Sequence, residues 1–231
     1  MLISYPTTYL FTTTIALMQE LLKGLLIEGR VFTMDALLTQ RQIAQTIVDH
    51  KGDYFMMTKG NQANLQQDIQ LYFADPTAPG VLFTTTLELG HGRIERRTLY
   101  TTTALNDYLA WPAVGQAGLI ERVRIAKNTG QLLSHEQVCF VTSLTPQRAT
   151  PPQLLQINRG HWIIENTSHY VRDVSFNEDA SRVRKGASAQ VMAAFRNLTL
   201  AVLRRVGVTH IQEAFIKNSA QPLNTLCYLY L

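Results

Sequence analysis

Apolar positions along this chain change their spacing twice, and the changes divide it into three parts. From Ala16 to Gly29 ("ALMQELLKGLLIEG") they recur every three or four residues, which predicts a helix stopped at Gly29. Residues 1–15 ahead of it, with Thr12, Thr13 and Thr14 in a row, predict an irregular or strand-like start. "RVFTMD" predicts a short buried strand ending in Asp35. "TQRQIAQTIVDHKG" carries Ile43, Ile47 and Val48 at helical spacing, which predicts an amphipathic helix capped by Thr39 and closed at Gly52. "DYFMMTK" predicts a second strand, and "NQANLQQDIQLYF" a second helix capped by Asn61. Strand, helix, strand, helix in this order is the pattern of a parallel α/β unit.

From residue 78 to 145 the period falls to two. "VLFTTTLEL", "RIERRTLYTTT", "ERVRIAKN" and "LLSHEQVCFVTSL" predict antiparallel strands, with a hairpin at Gly90-His91-Gly92. These strands are expected to form an insertion rather than part of the parallel unit. Pro151-Pro152 suit a helix start, and helical spacing then runs to about Val171. After "NEDASRVRKG" comes a long helix, "SAQVMAAFRNLTLAVLRRVG", ended by Gly207, while the residues beyond show no strong pattern. The expected organisation is a partial α/β core over residues 1–77, a β-rich insertion over 78–147 and a helical remainder of the core over 148–231.

Composition narrows the class. The 231 residues are 46% hydrophobic and 16% charged, with a mean hydropathy of −0.03, which excludes a disordered or highly charged chain. "YLFTTTIALM" is too short and too threonine-rich to span a bilayer and lacks the marks of a secretory leader, so a soluble, cytoplasmic protein with no membrane partner is expected. Cys139 and Cys227 are far apart and show no zinc-type spacing; Cys139, inside "QVCFVTS", reads as buried and inert. The net charge of +4 is unevenly spread. Between Arg148 and Arg205 nine basic residues, Arg182 and Arg184 among them, face four acidic ones, which leaves the rest of the chain close to neutral. A local basic region of this kind suggests a polyanionic partner.

Two carboxylates stand out against this background. In "RGHWIIENTSHYVRDVSF", residues three or four apart share a helical face, so His161, Glu165, His169 and Arg172 form one stripe. Ile157, Gly160, Ile164, Ser168 and Val171 form the neighbouring stripe, apolar or small enough to lie against a sheet. Glu165 then sits at the border, where a lone carboxylate needs cationic partners or a metal. Asp35 ends a strand before a loop, where α/β folds place ligand-contacting side chains. Each has a plainer reading, Glu165 in an ordinary helix ion network and Asp35 as a helix cap. Taken together they would suit a hard divalent cation, magnesium above all, with nucleic acid as substrate.

The same stretches resemble a known family. "R-x-HW-x-IEN-x-x-H" from Arg159 to His169, followed by "DVSFNEDASRVR", resembles the C-terminal signature of insertion-sequence transposases of the ISAs1 group, within the IS4-related DDE class. "FTMDALLTQRQIA" is similar to the segment carrying that family's second catalytic aspartate, and "GDYFMMTKGNQANL" to its "YxxxxKGNQ" segment. "GHGRIERR" and "WPAVGQAGLIERVR" resemble its inserted β-region.

The resemblance implies an α/β, RNase H-like fold with an antiparallel all-β insertion and C-terminal helices. It implies Mg²⁺- or Mn²⁺-dependent cleavage and strand transfer of DNA at insertion-sequence ends and target, by a nucleoid-associated bacterial transposase that could form homo-oligomers. By position Asp35 and Glu165 would be the second and third acidic residues. Arg159, His161, Trp162, Asn166 and His169 match the motif around the glutamate; the arginine and histidines could meet phosphates, and Trp162 could either pack in the core or stack on a base. The Lys59-Gly60-Asn61-Gln62 loop opens a helix whose amides could bind phosphate, or is a plain turn and cap. Tyr170 and Arg172 depart from the family pattern, Arg172 either weakening packing or adding a phosphate contact. The family's first aspartate belongs to an "IDGKxxR"-type segment, and residues 1–34 contain no aspartate. The expectation is therefore an N-terminally truncated transposase, catalytically silent alone, with a non-catalytic DNA- or transposase-binding remnant as the alternative.

Overall fold

Val31–Met34 (β1) and Asp53–Thr58 (β2) pair in parallel, with Val31 opposite Asp53 and Met34 opposite Met56. Arg41–Asp49 (α2) makes the crossover, with Ile43, Ala44 and Ile47 on its buried face. The computed structural model describes residues 7–75, 78–90, 92–164, 170–183, 185–221 and 223, with no side-chain account of 7–14 and 162–164. The chain divides into two compact units, residues 1–161 and 162–231.

The first unit is built on one mixed sheet of six strands in the order β1-β2-β6-β5-β4-β3. Its other strands are Leu82–Gly90 (β3), Arg93–Thr102 (β4), Gln116–Ala126 (β5) and Leu132–Thr142 (β6). β3 to β6 are antiparallel, as their alternating pattern predicts. They do not stand apart from the parallel unit, however. β6 pairs antiparallel with β2, Phe55 opposite Thr142 and Thr58 opposite Cys139, so the two sets of strands form one surface. Backbone hydrogen bonding explains the join: β2 is buried, and its second edge needs a partner as much as its first.

Parity along β2 sorts the core. Tyr54 and Met56 pack in one cluster with Leu22, Ile43, Ile47, Leu65 and Ile69 from Thr7–Lys23 (α1), α2 and Ala63–Ala74 (α3). Phe55 packs in another with Phe140, Leu154 and Leu155, the last two from Pro151–Ile164 (α4). The sheet is thus covered on both faces where β2 lies, which is why its middle, "YFMM", is continuously apolar rather than alternating. Cys139 is fully buried, and burial pushes its thiol up to about 12, so it is the inert core residue expected. Gly118 lies in the middle of β5, where a Cβ would come within 2.2 Å of the Tyr100 carbonyl oxygen and 2.4 Å of the Phe140 ring.

Local differences from expectation have physical causes. Residues 7–15 are helical, not strand-like: Ile15, Met18 and Leu22 are spaced to pack as one face of α1 against the core, and that packing outweighs the low helix propensity of the threonines. α1 ends at Lys23 rather than Gly29, which instead adopts φ 71° in the turn before β1. Neither Thr39 nor Asn61 caps a helix; both side chains are engaged elsewhere, as described below. α4 starts as its prolines suggest, with both the N–H and the hydroxyl of Thr150 donating to Gln153 Oε1 at 2.9 Å.

In the second unit, a π-helical turn over Val171–Ser175 packs with Ser188–Arg205 (α5) and Ile211–Ala220 (α6). Val171, Leu200, Leu203, Ile211 and Ala214 form its core, and the rings of Phe176 and Phe215 meet edge-on at 4.9 Å. α6 falls where no pattern was evident. α5 closes through Gly207 at φ 79°, as its sequence predicts. Among the described residues no helix is long and apolar enough to cross a membrane.

Candidate active site

Asp35 follows β1 directly and is exposed. One carboxylate oxygen, Oδ1, accepts the N–H of Leu38 at 3.2 Å, closing a turn well short of the start of α2. Asp35 is therefore not a helix cap, and among the described residues it has no ion-pair partner. The loop that follows is fixed from three directions. The Thr39 hydroxyl lies within 2.9 Å of the Asp35 carbonyl and 2.6 Å of the Met57 carbonyl, tying the loop to itself and to β2. The Asn61 side-chain amide donates to the Ala36 carbonyl and, at 3.5 Å, to that of Thr39. Gln62 Nε2 donates to the same Thr39 carbonyl at 3.1 Å. Asn61 and Gln62 thus spend their donors on the Asp35 loop.

Across the sheet face that carries Phe55 lies α4. Gln116 is buried and donates to the carbonyls of Leu144 (2.9 Å) and Ala149 (3.0 Å), holding the connection that leads into this helix. Arg148 Nη1 donates to the buried carboxylate of Asp53 at 2.7 Å and ties the same connection to the start of β2. Leu154, Leu155 and Asn158 are buried among the described side chains of α4, and His161 Nδ1 hydrogen-bonds Thr33 Oγ1 at 3.0 Å. Asn158 Nδ2 approaches Met57 Sδ at 3.8 Å. The stripe expected to lie against the sheet, with Gly160 in it, is corrected here: Gly160 is exposed, and the stripe Leu154–Asn158–His161 faces the strands. Volume explains this, since Leu154 and Leu155 fill the space beside Phe55 that Gly160 cannot. Thr33, opposite Phe55 in the parallel pair, is the residue that His161 touches, and Asp35 follows two residues later, just past the end of β1.

The remaining candidates are scattered. Lys59 is exposed at the end of β2. Arg159 is paired with Glu88 of β3. In the second unit Arg182 is exposed, while Arg172 is committed to Glu178 through Nε at 2.6 Å and Nη2 at 2.9 Å. The Arg172 hydrogen bond holds the Glu178 carboxyl below its ordinary value. Glu165, Asn166, His169, Arg184 and the side chain of Trp162 lie outside the described residues. Sequence reasoning missed Thr33, Thr39 and Asn158 as supports of this region; for Asn158 the signal was available, one polar residue four after Leu154 and three before His161 on a packed face.

Among the described residues no three His, Cys, Asp or Glu side chains gather as a metal-binding group. Asp35 itself suits a divalent cation, being an exposed hard oxygen donor held at a strand end and free of any cationic partner among the described residues. Residues 3–202 match the family model described as the transposase DDE domain. The chain belongs to that family. Among curated members, YncI of Escherichia coli O157:H7, named as a transposase, is 30% identical over 192 residues, which are 80% of this chain and 48% of that protein. YhhI of Escherichia coli (strain K12), named as an H repeat-associated transposase, is 27% identical over 193 residues, 80% of this chain and 50% of its own. YbfL of the same strain matches at the same identity and coverage. The transposase-domain chain thus spans about half the length of the curated relatives it matches.

Proposed function

We propose that this chain is the DNA-handling part of an ISAs1-type, IS4-related transposase, with an RNase H-like core in which Asp35 and Glu165 together hold Mg²⁺ or Mn²⁺. The family match over residues 3–202 carries this reading. The parallel β1–α2–β2 unit with an acidic residue at the end of β1 supports the RNase H-like part. What supports the pairing is the position of His161 on Thr33: Asp35 stands two residues after Thr33, just past the end of β1, and Glu165 four residues after His161 in sequence. A divalent ion there would stabilise charge developing on a phosphodiester.

The substrate class follows from the basic stretch between Arg148 and Arg205, in which Arg182 and Arg184 are the residues assigned to DNA phosphates alongside Lys59. DNA binding is therefore the property proposed for this chain. Fluorescence anisotropy with a duplex oligonucleotide across a salt series tests this. The affinity should fall steeply with salt, with a log–log slope of about 0.9 for each phosphate contacted, and the slope should shrink in the Arg182→Ala, Arg184→Ala double variant. Affinity indifferent to salt, or unchanged in that variant, would remove DNA as the partner.

A further inference from the structure

We infer that Asn61 and Gln62 are positioning residues for Asp35, and that with Thr39 they form a latch on the loop that carries it. The inference rests on the reading of Asp35 as a metal ligand, but its structural half can be tested without metal. Asp35 stands at the start of an exposed connection from β1 to α2, and its carboxylate touches one backbone N–H, that of Leu38. A loop held only by that contact would sample many orientations, and an ion bound by few protein oxygens would have to order it. The fold supplies the order beforehand. Lys59 is extended, and the 3₁₀ turn Gly60–Gln62 brings two successive side-chain amides over the loop. Both donate to main-chain carbonyls of the loop, Asn61 to Ala36 and Thr39, Gln62 to Thr39.

Thr39 completes the arrangement from inside. It is fully buried, and its hydroxyl lies between the carbonyls of Asp35 and Met57, at 2.9 Å and 2.6 Å. The acceptors involved belong to Asp35, Ala36 and Thr39, and the Leu37 carbonyl accepts from Gln40 Nε2 at 3.3 Å, so four of the five residues from Asp35 to Thr39 have their carbonyls held by a side chain. Neither amide caps α3, whose N-cap residue Gln62 makes no side-chain cap bond. The Lys-Gly-Asn-Gln segment is thereby given a role different from direct DNA contact: its two amides hold the loop that carries Asp35, while Lys59 is exposed.

Hydrogen exchange on the full chain, followed residue by residue, tests the latch. In the Asn61→Ala, Gln62→Ala double variant the amides of Leu38 and Thr39 should exchange roughly tenfold faster, while those of Ile47 in α2 and Met56 in β2 keep their protection. Gln62→Glu, which keeps the length but loses the N–H donors, should behave like Gln62→Ala. Thr39→Ser should retain protection where Thr39→Val loses it. Unchanged exchange in the loop, or equal acceleration throughout the unit, would overturn the latch. Mn²⁺ binding by electron paramagnetic resonance gives the second readout: the double variant should bind roughly tenfold more weakly, as loss of supporting contacts does elsewhere. If the loop loosens and Mn²⁺ affinity stays the same, the positioning role is wrong. If Asp35→Asn leaves Mn²⁺ affinity as in the wild type, the metal reading has failed, and the exchange result alone decides the latch.

Discussion

At the scale of single residues, this protein separates groups whose chemistry is spent from groups left available. Asp53 is buried and held by Arg148 and Ser143; Glu178 is held by Arg172; among the described residues Asp35 accepts one backbone N–H and is otherwise open. Which carboxylate was which could be read only in part from sequence. A strand-ending aspartate marked Asp35, but nothing in "KGDYF" showed that Asp53 would be paired with an arginine 95 residues later. Asn61 and Thr39 were legible as polar residues beside a helix start and were misassigned as caps, because Asn61 binds carbonyls of the β1–α2 connection and Thr39 those of its own connection and of β2. Gly118 gives a residue-scale test of the sheet packing. Gly118→Ala would push a methyl group into the Tyr100 carbonyl and the Phe140 ring, and urea denaturation should show a loss of about 3 kcal/mol. Stability within about 0.5 kcal/mol of the wild type would show that β4, β5 and Phe140 are not packed as described.

At the scale of elements, periodicity foretold what packs regularly and misjudged what context decides. β1 to β6, α2, α3 and α5 follow from their spacing. α1 extends back to Thr7 because its buried face pulls threonines into a helix, and α6 escaped notice because its face is short, with Ile211 and Ala214 as its buried residues. The joining of β6 to β2 was not legible, since a local pattern gives strand faces but not the neighbour across the edge. The π-helical turn and α5 are linked through Glu178, which pairs with both Arg172 and Arg196. The Glu178 carboxyl is lowered by its Arg172 hydrogen bond, so it binds protons more weakly folded than unfolded. Its contribution is present above the unfolded value and lost as pH falls through the folded one. Exchange protection around Val171–Ser175 should therefore drop between about pH 5 and about pH 3, after correction for the intrinsic rate. Glu178→Gln should show reduced protection at neutral pH and a flat response in that window; a variant as pH-dependent as the wild type would assign the effect to another group.

At the scale of the whole chain, family membership and the position of Asp35 point the same way. The transposase DDE domain match covers most of the sequence, and the exposed carboxylate lies at the end of the strand that begins the parallel unit. The family was legible from motif blocks in order along the chain. The candidate site was legible only as residue types, because which distant side chains meet depends on packing that no local pattern encodes. The proposed grip of Asp35 and Glu165 on one divalent ion is tested most directly by a double-mutant cycle in Mn²⁺ affinity. Asp35→Asn and Glu165→Gln should each weaken binding by at least roughly tenfold, and the second change should cost far less once the first is made. Binding in Glu165→Gln equal to that of the wild type, or two losses that simply add, would contradict it.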